Sequence, residues 1–185
     1  MRVITGSARG RRLKTPEGLA VRPTTEKVKE SIFSVLHFSL PGARFLDLFA
    51  GSGQMGIEAL SRGAKLAVFV DQSKTSQEII KDNLKSAGLI QNSRVVAMNA
   101  CDFIRSTKDT FDIAFLDPPY NKGLISDVID ELAKKMSDDG IIVCEYEKGE
   151  EIPESAGDFV KTRDYKHSKT MVSVYKKQTS GLDVE

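Results

Sequence analysis

From residue 43 onward, short apolar runs alternate with amphipathic segments, and this alternation limits the folds open to the chain. Five nearly continuous apolar runs have the character of strands covered on both faces: residues 44–50, 66–71, 94–99, 111–117 and 140–146. Between them lie three segments with helical periodicity: 54–62, 74–87 and 124–136. Repeated strand–helix–strand units form right-handed crossovers. The sequence therefore predicts an α/β fold with a mostly parallel sheet.

The two ends of the chain depart from this rhythm. Residues 158–166 and 169–177 alternate apolar and polar side chains, which predicts an antiparallel hairpin that closes one sheet edge. Residues 1–40 predict a small basic hairpin and a Thr-capped helix. We therefore expect an N-terminal extension (1–40), a sheet domain (41–177) and a disordered tail (178–185).

Charge is balanced overall but unevenly placed. The chain has 27 Lys and Arg against 26 Asp and Glu, yet residues 1–30 hold eight basic and three acidic residues, a local net charge of +5. This favours either a polyanionic partner or a merely solvated basic end. The apolar runs are too short to span a membrane, and no secretion signal is present, so a cytoplasmic location is expected. With two Cys and two His, no metal site is predicted.

A glycine-rich loop joins the first strand to the first sheet helix. Gly51, Gly53 and Gly56 stand where a tight turn and an exposed helix N-terminus can hold a ligand, and Asp71 follows about 20 residues later. This pattern fits both a dinucleotide and S-adenosylmethionine. Asp71 is expected to accept hydrogen bonds from a ribose diol, with helix capping as the alternative.

Asp47 distinguishes the two ligands. A carboxylate inside an apolar strand is costly unless a cation or N–H groups satisfy it. The ammonium of S-adenosylmethionine would do so, whereas a pyrophosphate would be repelled, so Asp47 favours the methyl donor over NAD. Asp102, after the third strand, could reach the adenine amino group with Phe103 against the ring; an N-cap for residues 103–106 is the alternative.

The fourth strand ends in Asp117-Pro118-Pro119-Tyr120. Two prolines fix the backbone and leave carbonyls that only accept. An amino group on a nucleobase is a poor nucleophile, and acceptors on both of its hydrogens help it to attack. Asp117 and the Pro118 carbonyl could supply these acceptors while Tyr120 stacks on the base. A structural Asp-Pro turn with a surface tyrosine is the alternative.

The stretches "LDLFAGSG", "FDIAFLDPPY", "TGSARGRRLKTP" and "RPTTEKVKESIFSVL" resemble the bacterial 16S ribosomal RNA (guanine-N2) methyltransferases over residues 2–176. The resemblance implies a Rossmann-like, seven-stranded methyltransferase sheet, S-adenosylmethionine as donor and S-adenosylhomocysteine as product. It also implies action on one guanine of 16S ribosomal RNA in the assembled or assembling small subunit, and we expect the protein to be a monomer. Gln54 and Met55 depart from the small or aliphatic residues expected there, and Asp71 stands where glutamate is usual.

Three sets of site residues follow from the motifs and the resemblance. The catalytic set is Asp117, Pro118 and Tyr120. The RNA-binding set is Arg9, Arg11, Arg12 and Lys14. The donor-binding set is Arg22, Thr24, Asp47, Phe49, Gly51, Ser52, Gly53, Asp71, Gln72, Asp102 and Phe103.

Two other functions use the same features. A DNA adenine-N6 or cytosine-N4 methyltransferase shares the Asp-Pro-Pro-Tyr chemistry, but it needs extra surface to read and extrude a base. A non-catalytic RNA-binding protein would be expected to have lost Asp47, Gly51, Gly53 or Asp117, all of which are present.

Overall fold

The computed structural model of the chain describes residues 1–15 and 24–178. Its helices are α1 (Glu26–Val35), α2 (Gln54–Ser61), α3 (Lys74–Ala87), α4 (Ala100–Ser106) and α5 (Leu124–Ala133). Its strands are β1 (Arg44–Asp47), β2 (Leu66–Val70), β3 (Ser93–Val96), β4 (Phe111–Leu116), β5 (Met136–Glu147), β6 (Ser155–Ala156), β7 (Phe159–His167) and β8 (Thr170–Lys177).

All eight of these strands form one sheet in the order β3-β2-β1-β4-β5-β8-β7-β6. The five strands from β1 to β5 pair in parallel, and β6, β7 and β8 pair antiparallel at the edge. This confirms the predicted α/β class with its closing hairpin. The two-residue strand β6 was not predicted, because a pair of residues carries no alternation to recognise.

The structure also moves some predicted boundaries. Helix α5 ends at Ala133, and β5 begins at Met136 rather than at residue 140. Helix α4 begins at Ala100 with Asn99 as its N-cap, whose side chain accepts from the Asp102 N–H. The alternative in which Asp102 caps this helix was therefore wrong.

Side-chain alternation along the strands supplies two cores, one on each face of the sheet. Phe45, Phe69 and Phe115 point to the face covered by α1, α2 and α3. Their neighbours Leu46, Val70 and Leu116 point to the face covered by α4 and α5. Both faces of the sheet are thus covered by helices, as the continuous apolar runs predicted.

The N-terminal residues form the predicted hairpin, with an antiparallel bridge between Arg2 and Arg12. Val3, Ala8 and Leu13 are buried in the same core as α1, α2 and α3. Helix α1 begins as expected, since the Thr25 hydroxyl accepts from the Val28 N–H. Of the predicted tail, Gln178 donates its N–H to the Asp158 carbonyl, and residues 179–185 lie outside the described residues.

Glu58 joins the hairpin to the helices. Its fully buried carboxylate accepts from the N–H groups of Ile4 and Thr5, at 2.8 and 3.0 Å, and from Arg62 Nε at 2.8 Å. The buried Lys29 ammonium lies 3.3 Å from it and also donates to the Arg2 carbonyl at 2.7 Å. Burial lowers the pKa of Lys29, and the Glu58 charge opposes that shift.

We expect Glu58→Gln to lower the free energy of unfolding by about 3–5 kcal/mol, because it leaves a buried ammonium without its counter-charge. Urea unfolding would measure this, with the exposed Glu78→Gln on α3 as the control. Adding Lys29→Met to Glu58→Gln should recover part of the loss. A change of less than about 1 kcal/mol, typical of a surface ion pair, would contradict the assignment.

Candidate active site

A cavity of about 640 Å³ lies at the edge of the sheet where the parallel strands end. Asp47 is the last residue of β1, and Asp71 and Asp117 directly follow β2 and β4. All three line the cavity, as do Phe49, Gly51, Ser52 and Gln72 from the predicted donor-binding set. The size is that of a pocket for a nucleoside-sized ligand.

The glycine loop takes the shape that its sequence demands. Gly53 is the N-cap of α2 with φ +76°, a left-handed conformation that side chains disfavour. Gly56 packs so closely that an added Cβ would lie 2.3 Å from the Phe69 ring. The glycines therefore bring α2 tightly against β2 and open its N-terminus toward the cavity.

Asp47 is held at the base of this loop. Its carboxylate is almost fully buried and accepts from the Gly56 N–H at 2.9 Å. Burial raises the pKa of Asp47 to about 7, the Gly56 hydrogen bond opposes the rise, and the Asp71 charge adds to it. A cationic ligand group would therefore approach a carboxylate whose burial the Gly56 hydrogen bond offsets only in part.

Asp71 is half-buried and uses both carboxylate oxygens. One accepts from the Gly51 N–H at 2.8 Å, and the other accepts from the Ser73 N–H at 2.8 Å. Asp71 thus orders the glycine loop and the start of α3. Each oxygen keeps a further lone pair with which to accept from a ligand hydroxyl.

The residues that reach the cavity after the third strand differ from those predicted. Asp102 is exposed in the first turn of α4, and Phe103 is buried with its ring centroid 6.4 Å from that of Phe111. Neither of these two lines the cavity, which is instead lined by Met98, Asn99, Ala100 and Cys101. The Asn after an apolar run was the signal for the helix start, since Asn is a favoured N-cap.

Asp117, Pro118, Pro119 and Tyr120 all line the same cavity as the glycine loop. Burial raises the pKa of Asp117 well above its usual range, and the charges of Glu145 and Asp47 raise it further. The next residue, Asn121, has φ +56° and anchors the turn to the end of β5. Its amide donates to Glu147 at 2.6 Å, and its N–H donates to Glu150 at 3.1 Å.

Thr24 connects this corner to a residue that the sequence analysis missed. The buried Thr24 hydroxyl lies 2.8 Å from Glu145 Oε2 and 3.4 Å from Asp117 Oδ2. Glu145 is a buried carboxylate within β5, and an acid inside the run "IIVCEY" was the same signal that identified Asp47. Thr24 lines the cavity, whereas Arg22 lies outside the described residues.

The basic hairpin leaves its arginines in solvent. Arg9, Arg11 and Arg12 are exposed and form no ion pair within residues 1–15 and 24–178, while Lys14 pairs with Asp82 at 2.8 Å. Asn83 fixes the backbone here, donating to the Lys14 carbonyl at 3.0 Å and to the Ser52 carbonyl at 2.9 Å. The exposed arginines thus lie on a segment that Asn83 connects to the glycine loop by hydrogen bonds.

Comparisons with known proteins agree with this geometry. A family model described as "Conserved hypothetical protein 95" matches residues 1–176. The chain is 44% identical to the "Putative rRNA methyltransferase YlbH" of Bacillus subtilis over 185 residues, covering 96% of this chain and 100% of the relative. It is 33% identical to the "Ribosomal RNA small subunit methyltransferase D" of Escherichia coli, covering 98% and 92% of the two chains.

A solved structure described as a putative methyltransferase, yhhF, from Escherichia coli superposes with a TM-score of 0.86 at 32% identity, covering 96% of this chain and 98% of that one. The sheet is therefore the α/β methyltransferase sheet that the resemblance implied, with one short strand more than the expected seven. The family match extends over nearly the whole chain, including the basic hairpin. The chain belongs to the conserved hypothetical protein 95 family, which confirms the resemblance to the small-subunit ribosomal RNA methyltransferases.

Proposed function

We propose that the chain transfers a methyl group from S-adenosylmethionine to the N2 amine of a guanine in 16S ribosomal RNA of the small subunit. One observation carries this proposal: the glycine loop with Asp47 and Asp71 and the corner with Asp117 and Tyr120 line the same cavity. A donor and an amine can thus meet there. The names of two relatives, both described as ribosomal RNA methyltransferases, support RNA as the substrate class.

The residues present fit the proposed donor. Asp47 offers a buried negative charge to the ammonium, and Gln54 Oε1 is buried beside the cavity without a hydrogen-bond partner among the described residues. Asp71 and Gln72 suit the ribose hydroxyls, and the segment from Asn99 to Cys101 suits the adenine. When bound, S-adenosylmethionine supplies an electrophilic methyl group on a sulfonium.

The corner after β4 suits an aromatic amine. The Asp117 carboxylate and the Pro118 carbonyl accept one hydrogen bond each from the amino group, which raises the electron density on nitrogen. Tyr120 stacks on the base and holds it in line. The proton that the methylated nitrogen loses passes to an acceptor in this corner, and no covalent enzyme intermediate is required.

The hairpin suits the RNA backbone. Arg9, Arg11 and Arg12 are exposed cations in a short segment, and phosphate contacts of this kind supply affinity without reading sequence. The described part of the chain has little surface beyond the sheet, its helices and the hairpin with which to read a DNA sequence. A substrate whose shape is supplied by a folded RNA suits it better.

The proposal is tested by methyl transfer from radiolabelled S-adenosylmethionine to small subunits from a strain that lacks the gene, with naked ribosomal RNA and DNA alongside. We expect N2-methylguanosine in the subunit RNA. Asp117→Ala should reduce turnover by about 10²–10³-fold and leave S-adenosylhomocysteine affinity nearly unchanged, since the lost acceptor acts on the amine. Asp130→Ala on the exposed face of α5 is the control.

Label in DNA, or in N6-methyladenine, would overturn the substrate assignment while leaving the Asp117 chemistry in place. An equal loss of donor affinity and turnover in Asp117→Ala would instead show that Asp117 holds the donor.

Replacing Arg9, Arg11 and Arg12 together by Gln should weaken RNA binding and reduce its salt dependence. Loss of three phosphate contacts flattens the slope of log K against log salt by about 2. Filter binding across a salt series would measure this. A matched triple variant, Arg105→Gln, Lys108→Gln and Lys134→Gln, removes the same charge from α4, the α4–β4 loop and the C-cap of α5, on the other face of the sheet. Equal slopes for the two variants would remove the hairpin from the RNA interface.

Asp47→Asn should make the protein more stable above pH 7 and bind the donor more weakly. The folded-state pKa of about 7 lies above the usual unfolded value of about 3.9, so the folded chain holds the extra proton between these pH values. Wild-type stability contributed by this group is therefore complete below about pH 4 and is lost as the pH rises through 7.

Urea unfolding at pH 5, 6 and 8 should show Asp47→Asn gaining about 2–4 kcal/mol over the wild type at pH 8, with the gain shrinking toward acid pH. Calorimetric titration with S-adenosylmethionine measures the accompanying loss of affinity. A variant that is less stable than the wild type at every pH would show that the charge is compensated in the folded chain.

A further inference from the structure

Resting on the proposed function, we propose that Glu145 is a positioning residue, which engages the Thr24 hydroxyl and so keeps the Asp117 carboxylate available to accept from the substrate amine. Glu145 is 3% exposed and does not line the cavity, whereas Thr24 and Asp117 do. It therefore acts through its neighbours and not on the substrate.

The hydrogen-bond geometry gives the first reason. A threonine hydroxyl has one proton, and Thr24 lies within reach of two carboxylates, at 2.8 Å from Glu145 and 3.4 Å from Asp117. The shorter contact takes the proton. Asp117 Oδ2 thus keeps its lone pairs, which a direct hydrogen bond from Thr24 would partly occupy.

Charge gives the second reason. Burial raises the pKa of Asp117 most, the charges of Glu145 from β5 and Asp47 from β1 raise it further, and the longer Thr24 contact opposes these effects as the smallest of the four. A more basic carboxylate is a stronger acceptor for the amine and a better receiver of its proton. In the transfer the nitrogen would form a bond to the methyl group, the sulfur of the donor would keep the electrons of the bond that breaks, and the proton leaving nitrogen would form an O–H bond on Asp117.

The fold places Glu145 for this role. In β5 it pairs with Val172 of β8, and the adjacent Cys144 pairs with Leu116 of β4, the residue before Asp117. The Glu145 carboxylate thereby sits on a rigid strand in the middle of the sheet, while Thr24 comes from the segment before α1. Two separate elements meet at one catalytic carboxylate.

Two substitutions of Glu145 separate the hydrogen bond from the charge. Glu145→Gln keeps the shape and removes the charge, and Glu145→Asp keeps the charge but withdraws it from Thr24. The exposed Glu151→Gln, a few residues beyond β5, is the matched control. The Asp117 carboxyl resonance, assigned by its loss in Asp117→Asn in ¹³C spectra of aspartate-labelled protein, reports ionisation without any substrate.

We expect Glu145→Gln to lower the Asp117 pKa, to move the acid limb of the kcat–pH profile to lower pH, and to reduce kcat about tenfold. KM for RNA and S-adenosylhomocysteine affinity should stay within about threefold. Glu145→Asp should retain the raised Asp117 pKa while losing part of kcat, because only the Thr24 contact is weakened.

An unchanged Asp117 pKa in Glu145→Gln overturns the proposal, as does a parallel fall of kcat, donor affinity and melting temperature, which a structural role would produce. If the wild type methylates RNA and Glu145→Gln does so equally well, the positioning role alone is wrong. If the wild type transfers no label to RNA, the proposed function is wrong, and the carboxyl titration still decides the effect of Glu145 on Asp117.

Discussion

The architecture depends on buried carboxylates that are satisfied by backbone N–H groups and cations from distant parts of the chain. Glu58 is the clearest case, because one side chain of α2 accepts from two amides of the hairpin, from Arg62 and from the ammonium of Lys29. None of these groups would be buried at low cost alone. Together they fix the angles at which the hairpin, α1 and α2 meet, and α2 begins at the glycine loop.

Two acids at the cavity are satisfied less completely. Asp47 accepts from one backbone N–H, and burial raises the pKa of both Asp47 and Asp117. Incomplete compensation lowers folded-state stability but concentrates negative potential at the cavity. A ligand with an ammonium, a sulfonium or an amino group would interact favourably with these two acids. Glu58, by contrast, already accepts from two backbone N–H groups and lies against two cationic side chains, as expected of an acid with a structural role.

The sequence predicted the structure correctly wherever a local residue pattern is compatible with only one backbone arrangement. Alternating runs gave the sheet, glycines before a helix gave the loop, and acids at strand ends gave Asp47, Asp71 and Asp117. The prediction was wrong where it depended on the exact residue at which a helix begins. Helix α4 starts two residues before Asp102, which turns that carboxylate to solvent and brings Asn99 to the cavity instead. Glu145 was missed although an acid inside an apolar run marked it as it marked Asp47, whereas Asn121 was missed because its partners Glu147 and Glu150 lie far along the chain.

The hairpin was predicted as an extension beside the sheet domain, and its contacts join it to the glycine loop. The Asn83 amide donates to the carbonyls of Lys14 and Ser52, and the Ser52 hydroxyl contacts Met1 Sδ at 3.6 Å. The Asn83 side chain therefore ties the end of the hairpin to the loop, in addition to the hydrogen bonds by which Glu58 holds its beginning. The exposed basic segment and the cavity are thereby connected through one helix of the sheet domain.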